Sequence, residues 1–267
     1  MRKPRLAGLG FAMIATAAFA VAGCDNGGDA TPSANAPAPS TAASSTGAAD
    51  PAAVSALAAA TAQLDSTSFK ITATSGGGFK LTGAIDAPNG VGTAQVTASG
   101  PNAEIRVKTL LIDQDLYVQV PGITKAGTWT HVDGARLPAG ANVGLRPEQI
   151  DPVNTANLLS STTDVHSTGA RSYAGTLDLT KAAGVAGLNQ VTIDSYGDAA
   201  QNVPFTAGLD EQGRLSVLTI DLPAVNGQKA QPLEVLYTDY GAPVNAKRPA
   251  AGQITEAPDD LYDSLGS

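Results

Sequence analysis

Cysteine is almost absent from this chain. One residue, Cys24, occurs in 267, so no disulfide can close within it. Histidine is nearly as scarce, and His131 and His166 have no Cys, Asp or Glu at a recognisable metal-ligand spacing. "TWTHVD" alternates, which makes His131 a solvent-side strand residue, and His166 in "TDVHSTGA" reads as loop. No G-x-S-x-G elbow occurs. "SGGGFK" lacks the Gly-Lys-Ser/Thr ending of a phosphate loop and reads as a glycine hairpin or bulge. The pairs Asp210–Glu211 and Asp259–Asp260 are best read as turn and tail charges. Nothing here assembles a reactive cluster, so no catalysis, metal or cofactor is expected. Basic residues are also few, 16 against 24 acidic for a net charge of −8, which makes nucleic acid an unsuitable partner.

What is present begins with an export pattern. Arg2, Lys3 and Arg5 precede an apolar run, Leu6–Val21, of 16 residues. A bilayer-crossing helix needs roughly 20, and small and polar residues follow at once, as at a cleavage site. "Val21-Ala22-Gly23-Cys24" resembles the bacterial lipobox, in which a peptidase cuts before a cysteine whose thiol carries a diacylglyceryl group. Residues 1–23 are therefore expected to be a lipoprotein signal peptide and Cys24 the lipidated residue. The expected location is the extracytoplasmic face of the cell membrane. Removing the three basic residues leaves 13 against 24, a charge of −11, so membrane contact must come from the acyl chains.

Residues 24–50 read as a tether. From Asp25 to Asp50 there is no Leu, Ile, Val, Phe, Tyr or Trp, and Pro, Ser, Thr, Ala and Gly dominate. Such a coil has an r.m.s. span of about 28 Å. Residues 51–257 form the expected folded domain and 258–267 an acidic tail. Asp50 is a plausible N-cap and Pro51 a first helical residue, with Val54, Leu57, Thr61 and Leu64 at helical spacing. From Ser68 onward alternation takes over: "FKITATS", "GFKLTGAID", "GTAQVTA", "AEIRVKTLLI", "DLYVQV" and "TWTHVD" read as an antiparallel meander. A short helix or two is expected within 146–159. Strands then resume with "RSYAGTLDL", "QVTIDSYG", "VPFTAGLDEQGRLSVLTIDLP" and "PLEVLYTDYG", with "DEQG" as a hairpin turn. The class is α+β, mostly β, built on a large antiparallel sheet.

Aromatic residues make up 4% of the chain, few for covering a large sheet. The interior is therefore either filled by tightly packed small side chains or left partly open as an apolar cavity. In "AEIRVKTLLIDQDLYVQV" the charged set Glu104, Arg106 and Lys108 faces water. Ile105, Val107, Thr109 and Leu111 then face inward. On the next strand Leu116, Val118 and Val120 share a face, and Phe205 and Leu209 share one in the later hairpin. Each of these residues either lines a cavity or fills the core.

Several short signatures, in order, carry a resemblance: "SFKITATS", "LLIDQDLYVQVPG" with "GTWTHVD", "NLLSSTTDVHSTGARSYAGTLDL", "VPFTAGLDEQGRLSVLTIDL" and "VLYTDYGAPVNAKRPAAGQI". Behind a lipobox and a tether, this series resembles the actinobacterial LppX–LprA–LprF–LprG lipoproteins, which are similar in shape to carriers of the LolA type. It covers about Val54 to Pro249. "GVGTAQVTASG" departs from it in having more small residues than lipid-carrying members. The resemblance implies a half-barrel with helices on the concave side enclosing an apolar cavity. It implies binding of a lipid or acylated glycolipid and carriage across the envelope. Ile105, Val107, Leu111, Leu116, Val118, Val120, Phe205 and Leu209 would then be lipid-contacting. The expected partners are that lipid and, through Cys24, the membrane, with the protein a monomer. The alternative is an envelope scaffold or regulatory lipoprotein with a packed interior and a protein-binding surface.

Overall fold

The computed structural model describes residues 49–76, 78–99, 104–121, 124–137, 145–147, 149–181, 190–224 and 230–265. The expected signal segment, Cys24 and the tether as far as residue 48 lie outside them. Helix α1 (Pro51–Ala62) starts where its capping residues place it: the Asp50 side chain accepts from the Ala52 amide at 2.9 Å, with Pro51 next. Its buried stripe is Ala53, Leu57, Ala60 and Thr61, continued by Leu64 in a 3-10 turn, Gln63–Asp65. Val54, expected on this face, is turned outward at 41% exposed. Two alanines take the place of that valine, which lets the helix backbone lie close to what it covers.

Among the described residues twelve strands follow: β1 (Ser68–Ser75), β2 (Phe79–Asp86), β3 (Val91–Ser99), β4 (Glu104–Ile112), β5 (Asp115–Gln119), β6 (Trp129–Asp133), β7 (His166–Gly169), β8 (Ser172–Leu177), β9 (Val203–Leu209), β10 (Leu215–Leu222), β11 (Gln231–Thr238) and β12 (Ile254–Glu256). They form one open curved sheet in the order β12-β6-β5-β4-β3-β2-β1-β11-β10-β9-β8-β7. The expected mostly-β class holds. Two antiparallel meanders, β1–β6 and β7–β11, are joined where β1 pairs with β11. In the β9–β10 turn, Asp210 Oδ1 accepts from the amides of Gln212 and Arg214, and Gly213 supplies the left-handed φ of +76°.

Three local expectations are corrected. Gln190–Ser195, read as a strand from its β-branched residues, is a helix, α3. Only Ile193 is buried there while Val191 is 76% exposed. The chain instead closes a Gln190–Asp194 hydrogen bond across one turn. The short helix expected within 146–159 is present as α2 (Thr155–Ser160), whereas two further expectations change. His166, read as loop, opens the edge strand β7, all four residues of which are exposed. The segment expected as an acidic tail contains a helix, α4 (Asp259–Leu265). It docks on the sheet: the Asp133 amide donates to Tyr262 Oη at 2.9 Å, and Arg136 pairs with Asp259 at 2.6 Å.

Residues 241–250 form a strap over one face of the sheet. The Gly241 amide donates to the Ser68 carbonyl, and Ser68 Oγ donates to the Ala242 carbonyl, at 2.8 and 2.7 Å. Asn245, Ala246 and Lys247 then pass beside Thr82, Thr93, Gln95 and Lys108 on β2, β3 and β4. Arg248 pairs with Asp115, and its guanidinium stands 5.7 Å from the centre of the Tyr117 ring. The strap ends in β12, which pairs parallel to β6. His131 lies beneath its far end. Its Nε2 is 2.8 Å from Asp115 and its Nδ1 2.7 Å from Glu256. Its face was legible in the sequence, but its side chain is only 19% exposed because two carboxylates flank it.

Candidate functional site

The face opposite the strap is apolar. Register settles its membership strand by strand: Leu81 faces Val96, Val96 faces Val107, and Thr109 faces Val118. Ile85, Gly92, Leu111 and Leu116 continue the same set toward the β5 turn. On the other meander the set is Phe205, Ala207, Leu218, Ile220, Val235 and Tyr237. Most of these side chains belong to one buried cluster with Leu57, Leu64, Leu145, Ile150 and Leu158. Gly92 shows why the cover sits so close. A methyl there would come within 3.3 Å of Leu145 Cδ1 and 3.4 Å of Ile85 Cδ1, so a side chain would push Leu145 off the sheet. Gly92, within "GVGTAQVTASG", thus makes room for a neighbouring leucine.

A polar group is buried under α2. Asp151 accepts from the amides of Val153 and Thr155, both at 2.9 Å. Thr155 Oγ1 is hydrogen-bonded to Tyr237 Oη. Burial holds the Tyr237 phenol well above its ordinary range, with the nearby Asp151 charge adding to that. Burial also raises the Asp151 carboxyl, against the pull of its hydrogen bonds. These groups anchor α2 to β11. Their job is positional: the Asp151 carboxylate ties down the start of α2 and Thr155 joins it to the sheet.

The expected contact residues divide into three sets. Leu111, Leu116 and Phe205 are fully buried core residues. Val107, Val118, Val120 and Leu209 are half-buried. Ile105 keeps the expected face but is 58% exposed, because it lies near the end of β4, away from Leu145 and Ile150. Ile105 and Val107 come together with Phe79, Val96 and Ala98 in two cross-strand rows, Phe79–Ala98–Ile105 and Val96–Val107. Val118 adjoins them on β5 through its partner Thr109. Phe205 and Leu209 do not join this group. β9 is separated from β4 by β3, β2, β1, β11 and β10. Phe79, Val96 and Ala98 were not singled out from the sequence, although the alternation in "GFKLTGAID" and "GTAQVTA" carried the signal.

The candidate site is therefore an apolar strip at one end of the β2–β5 face, half-buried where it meets the core and open at Ile105. It carries no described charged side chain on its own face. Its arrangement suits a flexible hydrocarbon laid across strands. Among the described residues no helix is long and apolar enough to cross a membrane. Compared with models of known protein families and with curated proteins, the chain finds no match.

Proposed function

We propose that the protein is a lipid-anchored envelope lipoprotein, held by Cys24, that takes up an acyl chain of a lipid or acylated glycolipid on its inner sheet face and carries it across the envelope. The observation that carries this reading is the strip itself: Phe79, Val96, Val107 and Val118 continue the core outward and end at an exposed Ile105. The finer architecture belongs to the same proposal, namely a half-barrel whose concave side holds helices and an apolar cavity.

The energetics favour a carrier without a fuel site. A sixteen-carbon chain in water exposes about 15 methylenes at roughly 0.8 kcal/mol each, or about 12 kcal/mol. Exchange between bilayer and an apolar strip trades one hydrocarbon environment for another and is near neutral. The protein thus lowers the barrier to transfer, while direction comes from a donor or acceptor.

The test is native mass spectrometry of a Cys24→Ala variant purified from a bacterial host, together with uptake of a fluorescent fatty acid. Adduct masses in the lipid range and saturable uptake support the proposal; bare protein with no uptake sinks it. The second reading, a scaffold with a packed interior, has its own support in Leu145 and Ile150 seated against Gly92. It gains if the strip proves filled and fatty acid does not bind.

A further inference from the structure

The strapped face holds a second feature of different chemistry. Between the strap and β2–β4 runs a groove of about 470 Å³, a volume within the range of small-molecule sites. Its floor is a cross-strand row fixed by register: Thr82 faces Gln95, and Gln95 faces Lys108. Trp129 forms a wall, and Asn245 and Lys247 of the strap form the opposite side. The strap is tied at Ser68, Asp115 and β6, so the groove does not depend on a free loop.

The charge of the groove's lining is of one sign. The chain has more acidic than basic residues, 24 to 16. Lys70, Arg106, Arg136, Lys181, Arg214 and Arg248 each pair with a carboxylate. Among the described residues Lys80, Lys108, Lys125, Arg171 and Lys247 have no such ion pair, and two of these, Lys108 and Lys247, line the groove. None of the described residues lining the groove is Asp or Glu. Two free ammonium groups in an acidic protein make a local anion preference. The hydroxyl of Thr82 and the amides of Gln95 and Asn245 supply neutral donors and acceptors. Trp129 adds a flat, half-buried ring whose electron-rich face suits weakly positive C–H groups.

Hydroxyl-matching amides, an aromatic platform and an uncompensated positive charge together describe one ligand class. We propose that this groove binds an acidic saccharide, a sugar carrying a carboxylate or phosphate, with its ring face against Trp129 and its anionic group toward Lys108 and Lys247. The site lies on the opposite face from the apolar strip and is independent of the lipid reading.

Trp129 is the only tryptophan in the sequence, so its emission reports on the groove directly. The full chain is titrated with a tetrasaccharide of alternating glucuronate and N-acetylglucosamine, with its carboxyl-reduced analogue, and with inorganic phosphate. The expected result is a saturable emission change with the acidic sugar, with at least tenfold weaker binding of the reduced sugar and of phosphate. Lys108→Met and Lys247→Met should each weaken the acidic sugar about tenfold while leaving the thermal midpoint unchanged. Calorimetry on Trp129→Phe, which removes the reporter, should show a comparable loss. Vesicles of phosphatidylcholine bearing a glucuronosyl diacylglycerol form the second arm. Binding of the soluble tetrasaccharide assigns a free polymer, and binding only of the vesicles assigns a lipid headgroup. No saturable change in either arm, equal binding of the reduced sugar, or phosphate binding as tightly as the sugar overturns the proposal.

Discussion

Leu111 and Ile105 lie on one strand and one face, six residues apart, yet Leu111 is fully buried and Ile105 is 58% exposed. Toward Leu111 the face is covered by Leu145 and Ile150, whose approach Gly92 permits. Toward Ile105 the same apolar alternation continues and the side chains open to solvent. Binary patterning sets which face a residue joins; what lies above that face decides whether it becomes core or surface. A protein that needed only stability would gain little from extending the apolar rows to Ile105, and that surplus is what the lipid proposal uses.

The sharpest way to break this comparison is to cut both ends. Leu111→Ala should cost about 2–5 kcal/mol, since a buried leucine leaves a cavity, read as a lower urea midpoint with unchanged slope. Ile105→Ser should move stability by no more than about 0.5 kcal/mol, as for exposed sites, yet reduce fatty-acid uptake several-fold. If Ile105→Ser unfolds the protein, the open end is core after all. An intermediate effect is expected from Thr155→Val, which removes the partner of Tyr237 Oη and leaves that phenol buried: about 1–3 kcal/mol, seen in chemical denaturation. Next comes Val107→Trp, at the boundary between the ends. It should lower fatty-acid uptake while the far-ultraviolet dichroism stays the same, and unchanged uptake would clear the strip of the role.

The smallest effect tests a second sealed corner, where Leu177 and Leu179 are fully buried beside Asp178. Hydrogen bonds from Thr180 and then the Lys181 ammonium hold the Asp178 carboxyl below its usual range. A carboxyl lowered in the fold stabilises above its unfolded pKa of about 3.9, and that contribution fades as pH falls through the folded value. Asp178→Asn should lower the urea midpoint at pH 7 and flatten its decline below about pH 4. A variant whose acid limb matches the parent would show that Asp178 carries none of it.

Much of the sheet was legible because ten of its strands announce themselves by alternation, and the capped start of α1 by Asp50 and Pro51. Other parts were not, the fully exposed edge strand β7 among them. Val191, Thr192 and Ile193 imitate a strand, and only a helical hydrogen bond and a single buried contact reveal α3. β12 is three residues long, and its partner β6 lies some 125 positions earlier, so no local pattern announces it. At the candidate strip, alternation placed Val107 with Leu111, but it could not say which of them would be covered. That depends on Leu145 and Ile150, which lie outside any periodic run.

The order in which the chain is synthesised gives the strap a further meaning. Strands β1 to β6 can pair as successive hairpins while residues beyond 133 are still being made, but the outer edge of β6 has no partner until Ile254–Glu256 emerges. An unpaired strand edge invites association with other chains. The nascent sheet therefore stays unguarded on that side until those three residues arrive. Slow completion or early termination of translation should expose that edge to neighbouring copies well before it disturbs the interior.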